Sequence, residues 1–320
     1  MGNFNILPEE IQIEIISRLP IKSVLQCKLV SKPWKNLLQH PSFSQMHFNH
    51  HHLDSSSGNL TCCIFYSRQP YVNEFYYSEY AENCNEAPSN RRTRMNLGAP
   101  FENSSIFGSC NGLICFSRRF RKGFREWDYG RAYICNPSTR EYTTLPNYGG
   151  KYQWNGFGYS SMTKEYKVVR ICKSGGDSNV GIAQVYTLGS GKGWKNAGTV
   201  GINMQRICAG VFVNGALYWA GKDKGTIVAF HLDDENFSEL PPPPPCLAQP
   251  GIIDAKLRVL GGFISVTYEY CSGDCDILLL KKNKDNNDFS WSKEFSFDSH
   301  ISRPFEFTKS GRLLFYGQSV

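Results

Sequence analysis

What the 320-residue chain lacks narrows it before any motif does. No stretch approaches eighteen uninterrupted apolar residues, so no membrane-spanning helix is expected. The N-terminus has no basic segment running into an apolar one, which argues against a secretory signal. Ile6 stands where a Met1-Gly2 myristoylation pattern needs Ser or Thr. No Cys-x-x-Cys pair occurs among the 12 cysteines, so a zinc framework has little basis. Cys110, Cys115, Cys135, Cys172 and Cys208 sit in apolar, strand-like runs, as buried free thiols do in a reduced compartment. The sequons at Asn59, Asn103 and Asn236 need export and are expected to stay unused. Cytoplasm, nucleus or both is the expected location.

Catalytic patterns are equally scarce. There is no Gly-x-Ser-x-Gly elbow. His40, His47, His50, His51 and His52 cluster early, leaving only His231 and His300 elsewhere. Consecutive histidines diverge and rarely share a metal. Gly189-Ser190-Gly191-Lys192-Gly193 lacks P-loop spacing and a following helix, and Gly156-x-Gly158 lacks a third glycine. Asp233, Asp234 and Glu235 read as a solvated turn, and Asp274 and Asp276 as a loop around Cys275. Neither has calcium-loop spacing. No catalytic residue, metal ligand or cofactor is expected. The net charge of +7 includes basic clusters at Arg91, Arg92 and Arg94 and from Arg118 to Arg125. No nucleic-acid module accompanies them, so they read as solvated loops or as attractors of an acidic partner.

What is present is concentrated at the front. From Leu7 to Leu38 the chain reads LPEEIQIEIISRLPIKSVLQCKLVSKPWKNLL, three short helices punctuated by proline. Pro8 stands where a first-turn proline is tolerated, and Glu9 and Glu10 complement a helix dipole. Ile11, Ile15, Ile16 and Leu19 recur at helical spacing, and Pro20 ends that helix. Val24, Leu25, Leu29 and Val30 mark a second helix; Pro33 opens a third with Trp34, Leu37 and Leu38. A unit of roughly 40 residues buries too little surface to be stable alone. Ile13 falls on a different face from Ile11 and Ile15, so three small helices cannot hide every apolar face in one another. The surplus is an exposed apolar patch, the mark of a protein-binding site.

The strings Leu7-Pro8-x-Glu10-Ile11, Glu14-Ile15-Ile16-x-Arg18-Leu19-Pro20 and Lys22-Ser23-Val24-Leu25-x-Cys27-Lys28-x-Val30-Ser31-Lys32-x-Trp34 resemble the F-box. The resemblance implies docking onto the Skp-type adaptor of a cullin-RING (SCF) ubiquitin ligase, and through it association with cullin and RING subunits. Carried over by position, it sets Leu7 and Pro8 at the adaptor's edge and packs Ile11, Ile15, Leu19 and Pro20 on it. Leu25, Cys27, Lys28, Val30, Ser31 and Trp34 complete the implied surface. The F-box is expected over residues 1–46. From Pro41 to Gly58 periodicity fades, and residues 47–59 are expected to be a linker with a hinge at Ser55 to Gly58.

The remainder, 60–320, reads as β. Runs such as LTCCIFYS, GLICFS, YKVVRIC and AQVYTL are rich in β-branched and aromatic residues and bounded by turn residues. A strand, turn and aromatic recur from Ile134, Val185, Ala229 and Leu278, spaced by 51, 44 and 49 residues. Glycine turns precede strands at Asn111-Gly112, Asn214-Gly215, Gly261-Gly262 and Ser310-Gly311. A period of roughly 45 to 50 residues holding several strands matches a propeller blade. The fold class expected is α+β multidomain, a three-helix head before an all-β propeller-like domain; a β-sandwich is the alternative. Pro241 to Pro245 reads as a stiff connection between blades or an SH3-type ligand. Gln69 to Asn96 and Phe116 to Arg131 read as long aromatic and charged loops suited to partner contact.

This part resembles the F-box-associated domain of the large plant F-box families. The matching strings are Asn136-Pro137-x-Thr139 to Leu145-Pro146, Gly156-Phe157-Gly158-Tyr159 with Tyr166-Lys167-Val168-Val169, Val185-Tyr186-Thr187-Leu188 with Trp194, Asn214 to Trp219, and Ala229 to Pro241. Asp276 to Leu280 departs from it, since the family usually has a tryptophan-rich strand there. Members also run past the point equivalent to Val320, so the last blade is expected to be incomplete. The resemblance implies a non-catalytic substrate-recognition subunit whose β domain recruits a target protein for ubiquitination. A propeller enzyme, hydrolase or oxidase, and a non-degradative F-box scaffold stand as alternatives.

Overall fold

The computed structural model describes residues 6–53, 61–68, 73–80, 92–95, 97–98, 100–101, 104–121, 127–137, 139–146, 152–173, 180–201, 208–221, 226–244, 251–283, 288–298, 302–307 and 313–317. Chain contacts divide it into two units, Met1–Gly98 with Asn136–Glu141, and Ala99–Cys135 with Tyr142–Val320.

In the first unit lie helices α1 (Glu9–Ser17), α2 (Ile21–Val30), α3 (Lys32–Leu38) and α4 (Pro41–Leu53). An antiparallel sheet follows, β1 (Thr61–Arg68), β2 (Asn73–Tyr80) and β3 (Arg92–Met95), in the order β1-β2-β3. The expected linker at 47–59 is thus helical as far as Leu53, and the head has four helices where three were expected. Phe43 supplies the reason: it is buried with Ile13, Ile16, Val24 and Leu37, and Met46 packs against the same cluster. Tertiary burial holds a helix whose own histidine-rich sequence gives little periodicity. The hinge at Ser55 to Gly58 lies outside the described residues.

The second unit is a series of four-stranded antiparallel meanders. The first is β4 (Ser104–Cys110), β5 (Leu113–Arg121), β6 (Trp127–Cys135) and β7 (Tyr142–Thr144). Next come β8 (Tyr152–Ser160), β9 (Glu165–Lys173), β10 (Val180–Thr187) and β11 (Trp194–Gly201), with the short β12 (Cys208–Ala209) parallel to β8. The third holds β13 (Val211–Val213), β14 (Ala216–Ala220), β15 (Ile227–His231) and β16 (Asn236–Leu240). The fourth holds β17 (Ile252–Leu260), β18 (Phe263–Tyr270), β19 (Asp274–Lys282) and β20 (Phe289–Asp298), followed by the pair β21 (Ser302–Phe307) and β22 (Leu313–Gly317). The segments expected as loops at Gln69 to Asn96 and Phe116 to Arg131 contain β2, β3 and most of the β5–β6 hairpin instead. Their alternating aromatics are strand residues.

The two recurring patterns have a structural meaning. Ile134, Val185, Ala229 and Leu278 all lie on the third strand of a meander, each leading into the fourth. The glycine turns join first strand to second. Asn111 and Gly112 have φ of 49° and 77°, and Asn214 and Gly215 have 49° and 79°. Positive φ at both central residues gives the turn whose twist matches a hairpin, which Asn-Gly adopts at least cost. Ser310-Gly311 lies outside the described residues.

Neighbouring meanders bury their faces in each other. Alternation in Trp154-Asn155-Gly156-Phe157-Gly158 sends Phe157 to the cluster shared with Phe107 and Ile134, and Trp154 to one shared with Leu217 and Trp219. The Trp154 and Trp219 rings stack at 6.0 Å and 7°. Glycine at 158 permits this approach, since a Cβ there would come within 2.3 Å of Phe212. Gly156-x-Gly158 is therefore a packing device.

Several residues read as solvated loops turn out to be anchored. Lys167, only 4% exposed in its side chain, donates to the Leu232 carbonyl at 2.7 Å and to Glu235 Oε1 at 3.0 Å. Lys195 holds Glu235 Oε2 at 2.8 Å, and Ser160 donates to Asp233. Asp276 lies on β19, not in a loop, and accepts from Tyr270, Lys293 and Ser296 at 2.9, 2.9 and 2.6 Å. The proline run bridges two meanders: the Pro241 carbonyl accepts from Trp291 Nε1 at 2.8 Å and that of Pro243 from the Tyr268 hydroxyl at 3.2 Å.

These anchors set a pH dependence. Burial pushes the Glu235 carboxyl up, but the hydrogen bonds from Lys195 and Lys167 outweigh it and hold it below the usual range. A carboxyl depressed in the folded state stabilises fully above its unfolded titration range and loses that contribution as acid protonates it. Denaturant midpoints measured from about pH 6 down to about pH 2 are expected to fall less steeply in Glu235→Gln than in the parent chain.

Candidate functional site

The head presents the clearest site. Helix α1 starts because the Pro8 carbonyl accepts from the Ile11 and Gln12 amides at 3.1 Å each, with Glu9 and Glu10 in the first turn. Gln12 Nε2 reaches back to the Leu7 carbonyl at 2.7 Å and fixes the entering chain. Pro20 begins α2, its carbonyl accepting from Val24 N at 3.1 Å. Ser31, extended at φ −162°, breaks the helix path, and its hydroxyl accepts from the Trp34 amide at 3.4 Å to cap α3.

Helix α1 has two apolar faces. Ile13 and Ile16 are 5% and 1% exposed, in a core with Val24, Leu37, Leu38 and Phe43. Ile11 and Ile15, one turn apart, are 47% and 42% exposed, and Leu7 just ahead of them is 38% exposed. Val30 is exposed at the end of α2, beside Leu29 at 86%. Single exposed leucines are ordinary; a row of isoleucines on a helix that already has its buried stripe is not.

The twelve residues expected to face an adaptor therefore divide. Leu7, Pro8, Ile11, Ile15, Pro20 and Val30 are exposed; Leu25 and Lys28 are half-buried. Leu19 and Trp34 are half-buried against the head's own core. Ser31 is exposed while its hydroxyl serves α3. Cys27 is a correction: it lies inside the core, where burial pushes its thiol up, so it packs the head rather than facing outward. Helical spacing cannot tell the two faces of an all-apolar helix apart. Leu29, which sequence reasoning passed over as second-helix filler, is at 86% the most exposed large apolar residue among the described residues. Only the burial of its neighbours Val24 and Cys27 reveals that.

Two histidines tie α4 to the rest. His47 Nε2 lies 3.0 Å from the Leu19 carbonyl, and His50 Nε2 lies 3.4 Å from Glu14 Oε2. Arg18, ahead of His50, holds the Glu14 carboxyl below its usual range. The histidines thus act as struts, and Phe43 is the apolar part of the same clamp. Phe43→Ala is expected to cost the head about 3 kcal/mol through the cavity it leaves. Hydrogen exchange in the full chain would read this as lost protection along α1 and α4.

Among the described thiols of the β unit, Cys110, Cys115, Cys135 and Cys275 are buried, Cys172 is half-buried and Cys271 is exposed. Burial pushes Cys110 up to about 12 and Cys135 up to about 11, and pushes Cys115 well up against an opposing backbone hydrogen bond at Phe116. His231 Nε2 is engaged with Ser238 Oγ at 2.8 Å. Among the described residues, no group of three or more His, Cys, Asp or Glu is placed to hold a metal. No helix there is long and apolar enough to cross a membrane.

Comparison with known proteins returns two family models, an F-box domain over residues 4–45 and an F-box associated beta propeller domain over residues 61–301. An F-box protein of Arabidopsis thaliana is 27% identical over 94% of this chain and 75% of its own length. The F-box protein DOR of the same plant is 30% identical, over 74% of this chain and 61% of its own. An F-box/kelch-repeat protein of that plant is 24% identical, with 91% and 79% covered. Among solved structures, the SapL1 lectin aligns with 82% of this chain and 89% of its own at 11% identity and a TM-score of 0.44.

Proposed function

Because the chain belongs to the plant F-box proteins that carry an F-box associated β-propeller domain, we propose that it is the substrate-recognition subunit of an SCF ubiquitin ligase. The observation that carries the reading is the second apolar face of α1, Leu7 with Ile11 and Ile15, left over once Ile13 and Ile16 fill the core. A Skp-type adaptor covers that face and links the chain to cullin and RING subunits. The β domain holds a target protein beside the ubiquitin-loaded partner enzyme, and the rate gain comes from proximity, with the bond-making chemistry in other subunits. Cytoplasm or nucleus, where such ligases meet their targets, is the place proposed for it.

Co-elution of the full chain with purified Skp-type adaptor on size exclusion tests the docking step; two separate peaks would remove it. Ubiquitination of a captured target in the reconstituted ligase separates the degradative receptor from a scaffold.

A further inference from the structure

The hairpin of β5 and β6 outreaches its own meander. β4 pairs with β5 only as far as Ser104 opposite Arg118, and β7 pairs with β6 only from Tyr133 to Cys135. The two middle strands run on as a ribbon, with Arg119 opposite Tyr129, Phe120 opposite Asp128 and Arg121 opposite Trp127. A register shift between Ser117 and Arg119 marks its base, where the Ser117 hydroxyl donates to the Gly130 carbonyl at 3.4 Å. Such a bulge adds bend and twist to what lies beyond it. The connection from Lys122 to Glu126 lies outside the described residues. Charge is concentrated in this stretch. Residues 118–131 hold six arginines and lysines against Glu126 and Asp128, a surplus of four in a chain whose net charge is +7. Arg131, at the base, is exposed. Strand alternation sets Arg119 and Arg121 on the same face, one two-residue repeat of about 6.6 Å apart.

We propose that this ribbon binds an extended acidic segment of the target, with Asp or Glu at alternate positions. The inference rests on the receptor reading and gives it a substrate class. An extended segment repeats its side chains at the spacing of β5, so carboxylates two residues apart match Arg119 and Arg121 one to one. Arginine suits this pairing, because its fork takes a carboxylate through two parallel hydrogen bonds. The local surplus of positive charge draws such a segment in and sets its register. Among the described strands, none pairs with the β4 side of β5 beyond Arg118. That margin offers amides and carbonyls in alternation, which a peptide matches and a phosphodiester strand, having no backbone donor, does not.

The test titrates fluorescein-labelled decapeptides into the full chain and follows anisotropy. One peptide alternates Glu with Thr; the other has the same composition in two blocks, all Glu before all Thr. The alternating peptide is expected to bind at least fivefold more tightly than the blocked one, a comparison that needs no variant. It should bind at least tenfold more weakly to the Arg119→Gln, Arg121→Gln double variant. The Lys164→Gln, Lys192→Gln double variant removes the same charge from exposed turn positions elsewhere and should bind as the parent does. No binding, equal binding of the two peptides, equal loss in both double variants, or tighter binding of a thymidine decanucleotide overturns the proposal. Adaptor co-elution is measured on the same preparations. Adaptor bound without preference for the alternating peptide defeats the ribbon alone. The alternating peptide bound as expected without adaptor defeats the receptor reading and leaves the ribbon standing.

Discussion

Replacing Leu7, Ile11 and Ile15 together by lysine is expected to weaken binding to a Skp-type adaptor by more than 100-fold while leaving the thermal midpoint of the chain unchanged. Fully burying a side chain of this size contributes about 1.5 to 3 kcal/mol, and each lysine adds a charge to the interface that must be desolvated. With half of the apolar contribution realised, three sites give about 2 to 4.5 kcal/mol, and the lysine desolvation carries the loss past the 2.7 kcal/mol or so that 100-fold requires. The unchanged midpoint follows from exposure: at 38%, 47% and 42%, these side chains are not part of the core that Ile13, Ile16 and Phe43 form. Lysine also propagates a helix well, so α1 is kept. Isothermal titration with the adaptor and a melting curve decide it. Unweakened binding would show that the adaptor uses another surface; a lowered midpoint would show that the outer face belongs to the fold.

Trp219→Ala is expected to cost the β unit about 4 kcal/mol, the upper range for a buried aromatic. Trp219 is fully buried, stacks on Trp154, and its Nε1 donates to the Asn155 carbonyl at 3.0 Å. The same carbonyl accepts from Gly210 N at 2.6 Å, and a Cβ at 210 would come within 2.5 Å of the indole. Truncation therefore opens a cavity between two meanders and removes a donor from a shared acceptor. Denaturation followed by tryptophan fluorescence measures the loss. Trp219→Phe, which keeps most of the volume and drops the Nε1 bond, is expected to cost about 1 to 2 kcal/mol and separates the two contributions.

How much of this was legible in the sequence depended on how local its cause is. The period from Ile134 to Leu278 was readable because a hairpin is written in a few adjacent residues. The Asn-Gly turns at 111 and 214 needed only their own φ angles to be satisfied. The residues proposed to dock an adaptor stand out as a string, but the string could not say that Cys27 turns inward, because α2 is apolar on more than one side. Helix α4 went unread since Phe43 and Met46 take their meaning from α1 and α3, not from each other. The anchoring of Asp233 and Glu235 was hidden for the same reason. Ser160 is 73 residues from Asp233, and Lys167 is 68 from Glu235. Acidic turns look solvated until their distant partners are placed.

The order of strands within each meander leaves β7, β11, β16 and β20 at a sheet margin. Open margins are where polypeptides template onto one another and grow into insoluble aggregates. Here Lys195 on β11 and Lys293 on β20 keep ammonium groups at those margins, with side chains 73% and 56% exposed. Beyond β16 the chain passes straight into prolines, which have no amide hydrogen to offer an incoming strand. These margins are thereby guarded against pairing with strands of other copies of the chain.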